Sequence, residues 1–125
     1  MTYEVLIVDD DSVDRKLLER QLRSESSLNI RVADSAQEAL KMLSELPADL
    51  LICDLQMPRI DGFELCGLIR QIFGQCSPKT VLVSGNPHPP PRYTNITPSF
   101  DEFCIKTSDG ELLIQTTRKL LDSLK

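Results

Sequence analysis

The residue types in this sequence that handle charge and phosphate sit in a few short stretches. They are Asp9-Asp10-Asp11, Asp54, Ser84 and Lys106. Several carboxylates gathered in one place repel each other unless a cation compensates them. Mg²⁺ suits all-oxygen ligands and keeps positions open for waters and phosphate oxygens. A carboxylate beside such an ion can attack a phosphoryl group and form an acyl phosphate. The ion, an ammonium and a hydroxyl then neutralise the charge on the three equatorial oxygens. Taken singly, none of these residues is informative. An acidic run after a strand is more often a helix cap or a solvated loop, and one Ser or Lys means little. Their joint occurrence at separate strand ends carries the functional reading.

The elements that position them can be read from apolar periodicity. Glu4 to Val8 is nearly continuous and β-branched, a buried strand that ends at the acids. Ser12 to about Ser24 reads as a helix, with Ser12 able to cap it, Asp11 a helix-start residue, and Val13, Leu17, Leu18 and Leu22 on one face. Asn29 to Ala33 is a second strand. Ser35 starts a helix to about Glu45, with Glu38 completing a capping box and Ala36, Ala39, Leu40 and Leu43 inward. Asp49 to Cys53 is a third strand, and Gly62 to Phe73 a helix with Phe63, Cys66, Ile69, Ile72 and Phe73 as its stripe. Thr80 to Val83 and Phe103 to Ile105 are further strands. Asp109 to Leu124 closes as a helix, with Leu112, Leu113, Thr116, Leu120 and Leu124 inward. Such alternation predicts an α/β fold, a doubly wound parallel sheet with helices on both faces. Ligands of such sheets bind beyond the carboxyl ends of the strands. Asp9 to Asp11, Asp54, Ser84 and Lys106 all fall there.

Composition bounds the possibilities. At 125 residues the chain fits one domain, residues 1–125, with a core large enough to need no disulfide or metal staple. A net charge of -5 argues against general nucleic-acid or anionic-membrane binding. The N-terminal MTYEVLIVDDD lacks the basic region and apolar length of a signal peptide, and no stretch is long and apolar enough to span a bilayer, so a cytoplasmic protein is expected. Cys53, Cys66, Cys76 and Cys104 show no metal-type spacing and read as reduced thiols, mostly core.

The sequence resembles a response-regulator receiver domain, similar to the chemotaxis regulators of two-component signalling, over nearly its whole length. The resemblance rests on Val8-Asp9-Asp10, the run from Asp54 through Gln56, Met57 and Pro58 to Asp61-Gly62, then Val83-Ser84-Gly85 and Phe103-Cys104-Ile105-Lys106. It implies a flavodoxin-like five-stranded sheet of order 2-1-3-4-5. It makes Asp54 the phospho-acceptor and Asp10 a direct Mg²⁺ ligand. Asp9 would act mainly through a coordinated water, and the Gln56 carbonyl would be the third protein ligand. Ser84 would bond one phosphoryl oxygen and Lys106 another. Met57-Pro58 would shape the loop over the site. Ser84 would move toward the phosphate, and Phe103, lacking a hydroxyl, would switch by packing alone. A histidine kinase or phosphotransfer protein would donate the phosphoryl group, and a protein target or output domain would read it. The chain would take part in its own phosphorylation without being a turnover enzyme.

Two departures from the family pattern stand out. Lys106 is followed by Thr107 where the family usually has Pro, so a trans bond and a different turn are expected. Prolines at 87, 89, 90, 91 and 98 fall where the family's fourth helix belongs, so that helix is expected to be irregular or missing, with the output face remodelled. This segment could be a plain solvated loop or a docking loop, and His88 within it reads as exposed. Two other functions remain in play. One is a receiver-fold scaffold that acts independently of phosphorylation. The other is a Mg²⁺-dependent phosphohydrolase with Asp9 as nucleophile and Asp11 two residues on. The last helix ends with the chain, so no output domain is expected to follow.

Overall fold

A computed structural model describes residues 2–87 and 100–125. Five strands form one parallel sheet: β1 (Tyr3–Val8), β2 (Leu28–Ala33), β3 (Leu50–Asp54), β4 (Lys79–Ser84) and β5 (Glu102–Ile105), in the order β2-β1-β3-β4-β5. Four helices lie among the described residues: α1 (Ser12–Leu22), α2 (Ala36–Glu45), α3 (Gly62–Phe73) and α4 (Glu111–Asp122). The expected order 2-1-3-4-5 is therefore the observed one. The order reverses between β1 and β3, and the ends of those two strands carry Asp9 and Asp54. The expected irregular fourth helix, the proline run and His88 lie outside the described residues, so α4 is the helix that closes the chain.

Alternation along the strands sorts the core into two layers. Leu6, Val8, Leu51, Cys53 and Leu82 face α2 and α3, where they meet Ala39, Leu43, Leu65, Cys66 and Ile69. Val5, Ile7, Leu50, Ile52, Val81 and Val83 face α1 and α4, where they meet Leu18, Leu22, Leu113, Leu120 and Leu121. Strands buried on both faces need the near-continuous apolar runs seen in the sequence. Each fully buried Leu, Ile or Val contributes about 1.5–3 kcal/mol of transfer free energy.

Helix α3 matches its expected bounds, and the others differ by a few residues at their ends. The inward faces are narrower than expected. Val13, Ile72, Leu112 and Leu124 are exposed, and Thr117, next to the expected Thr116, is buried. A sheet face covers only an arc of a helix, so apolar residues at the edge of the stripe stay in water. At the start of α1, Asp11 rather than Ser12 is the cap, accepting from the amides of Val13 and Asp14. Ser35 accepts from the Glu38 amide as expected. The fully reciprocal capping box is at α3, between Asp61 and Glu64.

Cys53, Cys66 and Cys104 are buried and Cys76 is exposed; all four are free. Burial pushes the Cys66 thiol up to about 12 and raises Cys53 well above its ordinary value. Both stay protonated packing groups. No described helix is long and apolar enough to cross a membrane.

Candidate phosphoryl-acceptor site

The carboxyl ends of β1 and β3 bring Asp9, Asp10 and Asp54 together. Each offers a carboxylate oxygen, and these oxygens all lie within 4.8 Å of one another. The strand register sets this up: Val8 pairs with Cys53 across β1 and β3, so the residues that follow emerge side by side. Asp9 is fully buried, Asp54 is 7% exposed, and Asp10 faces solvent. Asp11 is not in the group, because its side chain caps α1.

Lys106 follows β5 and reaches back over the acids. Its backbone N–H donates to the Ser84 carbonyl, which locks it beside the end of β4. Its ammonium lies 3.1 Å from Asp54 Oδ1, 3.3 Å from Asp9 Oδ2 and 2.9 Å from Asp14 Oδ2. Asp9 accepts through its other oxygen from the Asp11 amide at 3.0 Å. The Arg15 guanidinium donates to the Asp9 carbonyl at 2.8 Å and braces the loop from behind.

The electrostatics follow from this crowding. Burial and the neighbouring Asp9 charge push the Asp54 carboxyl from its ordinary 3.8 up to about 6, although Lys106 pulls the other way. Burial also raises Asp9, against the Asp11 amide and Lys106. Burial works against the Lys106 ammonium, yet its bond to Asp14 and the charges of Asp54 and Asp9 outweigh that and hold it protonated. One ammonium against a cluster of carboxylates leaves excess negative charge, and the donors present are all hard oxygens. Such a site fits a divalent cation with oxygen ligands.

Ser84 is the buried last residue of β4, and its hydroxyl accepts from the Asn86 amide at 3.1 Å. Phe103 is partly buried in β5, opposite Leu82, and packs on the α2–α3 side of the core. Gln56 is exposed in the loop after Asp54. The turn after Lys106 contains no cis bond. Thr107 builds it instead: its hydroxyl donates to Asp109 and accepts from the Gly110 amide, while Gln21 of α1 donates to its carbonyl. The trans bond is the one expected where the family's Pro is lacking. A cavity of about 250 Å³ beside Tyr3, Leu28, Thr117 and Leu121 lies at the opposite end of the sheet and includes none of these groups.

Sequence reasoning missed three contributors. Asp14 and Arg15 read as ordinary polar residues of α1, and only the tertiary fold gives them their partners, Lys106 after β5 for Asp14 and the Asp9 carbonyl after β1 for Arg15. Gly62 opens α3 as expected, but its main constraint is a close approach. A Cβ there would collide with the Asp54 carbonyl oxygen and lie 2.9 Å from Leu82 Cδ2. The Gly62 amide also donates to the Leu55 carbonyl at 2.8 Å. Gly62→Ala is therefore expected to destabilise the fold by about 1–3 kcal/mol, because the end of β3 must move to admit a methyl group. Urea denaturation measures this, and an unchanged midpoint would show that the loop yields freely.

Comparison with known proteins agrees with this fold. The family model for the response regulator receiver domain matches residues 5–118. Response regulator MprA of Mycobacterium tuberculosis is 32% identical over the whole chain, which spans 53% of that protein. The crystal structure of response regulator TrrA from Thermotoga maritima in complex with Mg²⁺-BeF superposes with a TM-score of 0.80. It is 30% identical and covers 96% of this chain and 99% of that one. TrrA in complex with the histidine kinase ThkA gives a TM-score of 0.79 at 32% identity, covering 97% of this chain and 99% of that one. On its motifs, its fold and these matches, the chain belongs to the response regulator receiver domain family.

Proposed function

We propose that the chain is one receiver domain over residues 1–125 that accepts a phosphoryl group on Asp54, acts in the cytoplasm, and uses Mg²⁺. The single observation that carries this is the convergence of Asp9, Asp10 and Asp54 under the Lys106 ammonium. Asp9, Asp10, Asp54 and the Gln56 carbonyl are the groups that would hold Mg²⁺. When bound, the ion supplies charge neutralisation for the acids and for the transferring phosphoryl group. Asp54 is the nucleophile. Its carboxylate oxygen forms the new bond to phosphorus as the bond to the donor breaks, and the donor leaves with that electron pair. Lys106 pairs with one phosphoryl oxygen, and the Ser84 hydroxyl donates to another. Asp9 holds Lys106 and orders the loop through the Asp11 amide.

The donor is a histidine kinase or a phosphotransfer protein, a reading supported by the kinase complex of TrrA. The reader is a protein target or an output domain. Ser84 and Phe103 carry the switch: Ser84 moves toward the phosphoryl group, and Phe103 repacks against the core face it already touches. This is a population shift driven by contacts that exist only in the modified state.

The test is intact mass after treatment with a small-molecule phosphodonor. The wild type is expected to gain one phosphoryl group with Mg²⁺ and none with EDTA. Asp54→Ala is expected to lose at least about 100-fold in rate, the scale of removing a nucleophile. Labelling that survives Asp54→Ala would overturn the assignment. A wild type that resists labelling would favour a scaffold that acts independently of phosphorylation.

A further inference from the structure

Lys106 has more partners than the phosphoryl chemistry uses. An ammonium has three donors and no acceptor. Asp9 and Asp14 each accept a hydrogen bond from the Lys106 ammonium, and Asp54 forms an ion pair with the same nitrogen at 3.1 Å. Asp9 and Asp54 belong to the acidic cluster. Asp14 does not: it sits in the first turn of α1, and its side chain is 42% exposed. Its 2.9 Å contact is nevertheless the shortest of the three, and among the described residues its carboxylate has no other partner.

We infer that Asp14 is a positioning residue that parks the Lys106 ammonium on α1 and thereby restrains phosphoryl uptake at Asp54. The inference rests on the reading of Lys106 as the group that pairs with a phosphoryl oxygen. An arriving phosphoryl group needs the Lys106 ammonium turned toward Asp54, and the Asp14 hydrogen bond draws it toward α1. The Asp14 charge also offsets the positive field that the arriving oxygens meet. Both effects act on how tightly the phosphodonor engages the site. A bland role is also available to Asp14, since an acid in the first turn of a helix stabilises that helix. That role would act on folding and would not depend on Lys106.

The experiment compares wild type, Asp14→Asn and Asp14→Glu, each with Lys106 intact and in a Lys106→Ala background. With Lys106 present and Mg²⁺ added, Asp14→Asn is expected to speed labelling by a small-molecule phosphodonor about twofold to fivefold, the scale of one partly exposed charge pair. The gain is expected in the phosphodonor concentration that half-saturates the rate, with the maximal rate little changed. Asp14→Glu is expected to return toward wild type. In the Lys106→Ala background, Asp14→Asn is expected to change nothing. Unchanged or slower labelling by Asp14→Asn would overturn the inference. So would an equal gain without Lys106, since the effect would then be charge acting through space.

A second measurement needs no phosphorylation. With Asp14 gone, the ammonium stays on Asp9 and Asp54 and competes with the cation. Mg²⁺ titration calorimetry is therefore expected to show binding weakened about two- to fivefold by Asp14→Asn, and only when Lys106 is present. If the wild type takes up no phosphoryl group, the functional reading fails, and the calorimetry still decides whether Asp14 parks Lys106. Equal Mg²⁺ affinity of wild type and Asp14→Asn would overturn the parking role.

Discussion

Lys106→Ala is expected to destabilise the metal-free protein by about 3 kcal/mol at pH 7.5, the scale of removing one partner from a buried charge pair. Asp9 is fully buried and the Asp54 side chain is 10% exposed, so neither can turn to water when the ammonium goes. The penalty is expected to depend on pH in a definite direction. Asp54 and Asp9 already bind protons more tightly in the folded chain than an ordinary carboxylate does. Losing Lys106 removes an influence that lowers both, so their folded values rise further. A folded state that binds more protons than the unfolded one gains stability on acidification. The cost of Lys106→Ala therefore shrinks from pH 7.5 toward pH 5, as the uncompensated acids protonate. Lys106 itself titrates far above this window and does not contribute to the trend. Chemical denaturation in EDTA at the two pH values measures the difference. An equal loss at both would assign it to the packing of the Lys106 stem.

That prediction uses contacts that the sequence conveys unevenly. The sheet was legible because strands buried on both faces must be continuous and apolar, and Glu4 to Val8, Asp49 to Cys53 and Thr80 to Val83 are. The acidic site was legible because a parallel sheet leaves its chemistry at strand ends, so a linear list of end residues becomes a spatial cluster. Lys106 over Asp9 and Asp54 follows from the same rule. Asp14 does not follow from it. It lies on a helix, and its meeting with Lys106 depends on where the start of α1 sits relative to the segment after β5, a tertiary fact with no local signature. Gly62 was legible as a helix start, yet its close approach to the Asp54 carbonyl comes from a loop folding back over β3. Val13 and Ile72 were read as core because periodicity marks an apolar stripe without marking its width. Asp11 took the cap from Ser12 because either side chain can reach a free amide, and a shift of one residue leaves the pattern unchanged.

Asp54→Asn is expected to stabilise the metal-free protein at pH 7.5 by about 1–2 kcal/mol while abolishing phosphoryl acceptance. Asp54 has a folded value of about 6 against an ordinary 3.8. Its charged form is thus less favourable in the folded chain by up to about 3 kcal/mol, and the loss of its bond to Lys106 offsets part of the gain when it is removed. Between about pH 4 and 6 the folded wild type binds a proton that the unfolded chain gives up more readily, so acid stabilises it through this residue. Asparagine has nothing to titrate. The advantage of the variant is therefore fully present above pH 6 and lost as pH falls toward 4. Millimolar Mg²⁺ is expected to reverse the order, since a ligand stabilises the form that binds it better and the acceptor carboxylate is one of the proposed ligands. Melting curves of both proteins at pH 4.5 and 7.5, with EDTA or Mg²⁺, separate the contributions. A variant less stable than wild type in EDTA at both pH values would mean that the Lys106 contact outweighs the repulsion from Asp9. The expected result instead makes Asp54 a residue retained against its own cost to stability, because under the proposed assignment the negative charge that weakens the empty fold is the one that would draw in the cation and attack phosphorus.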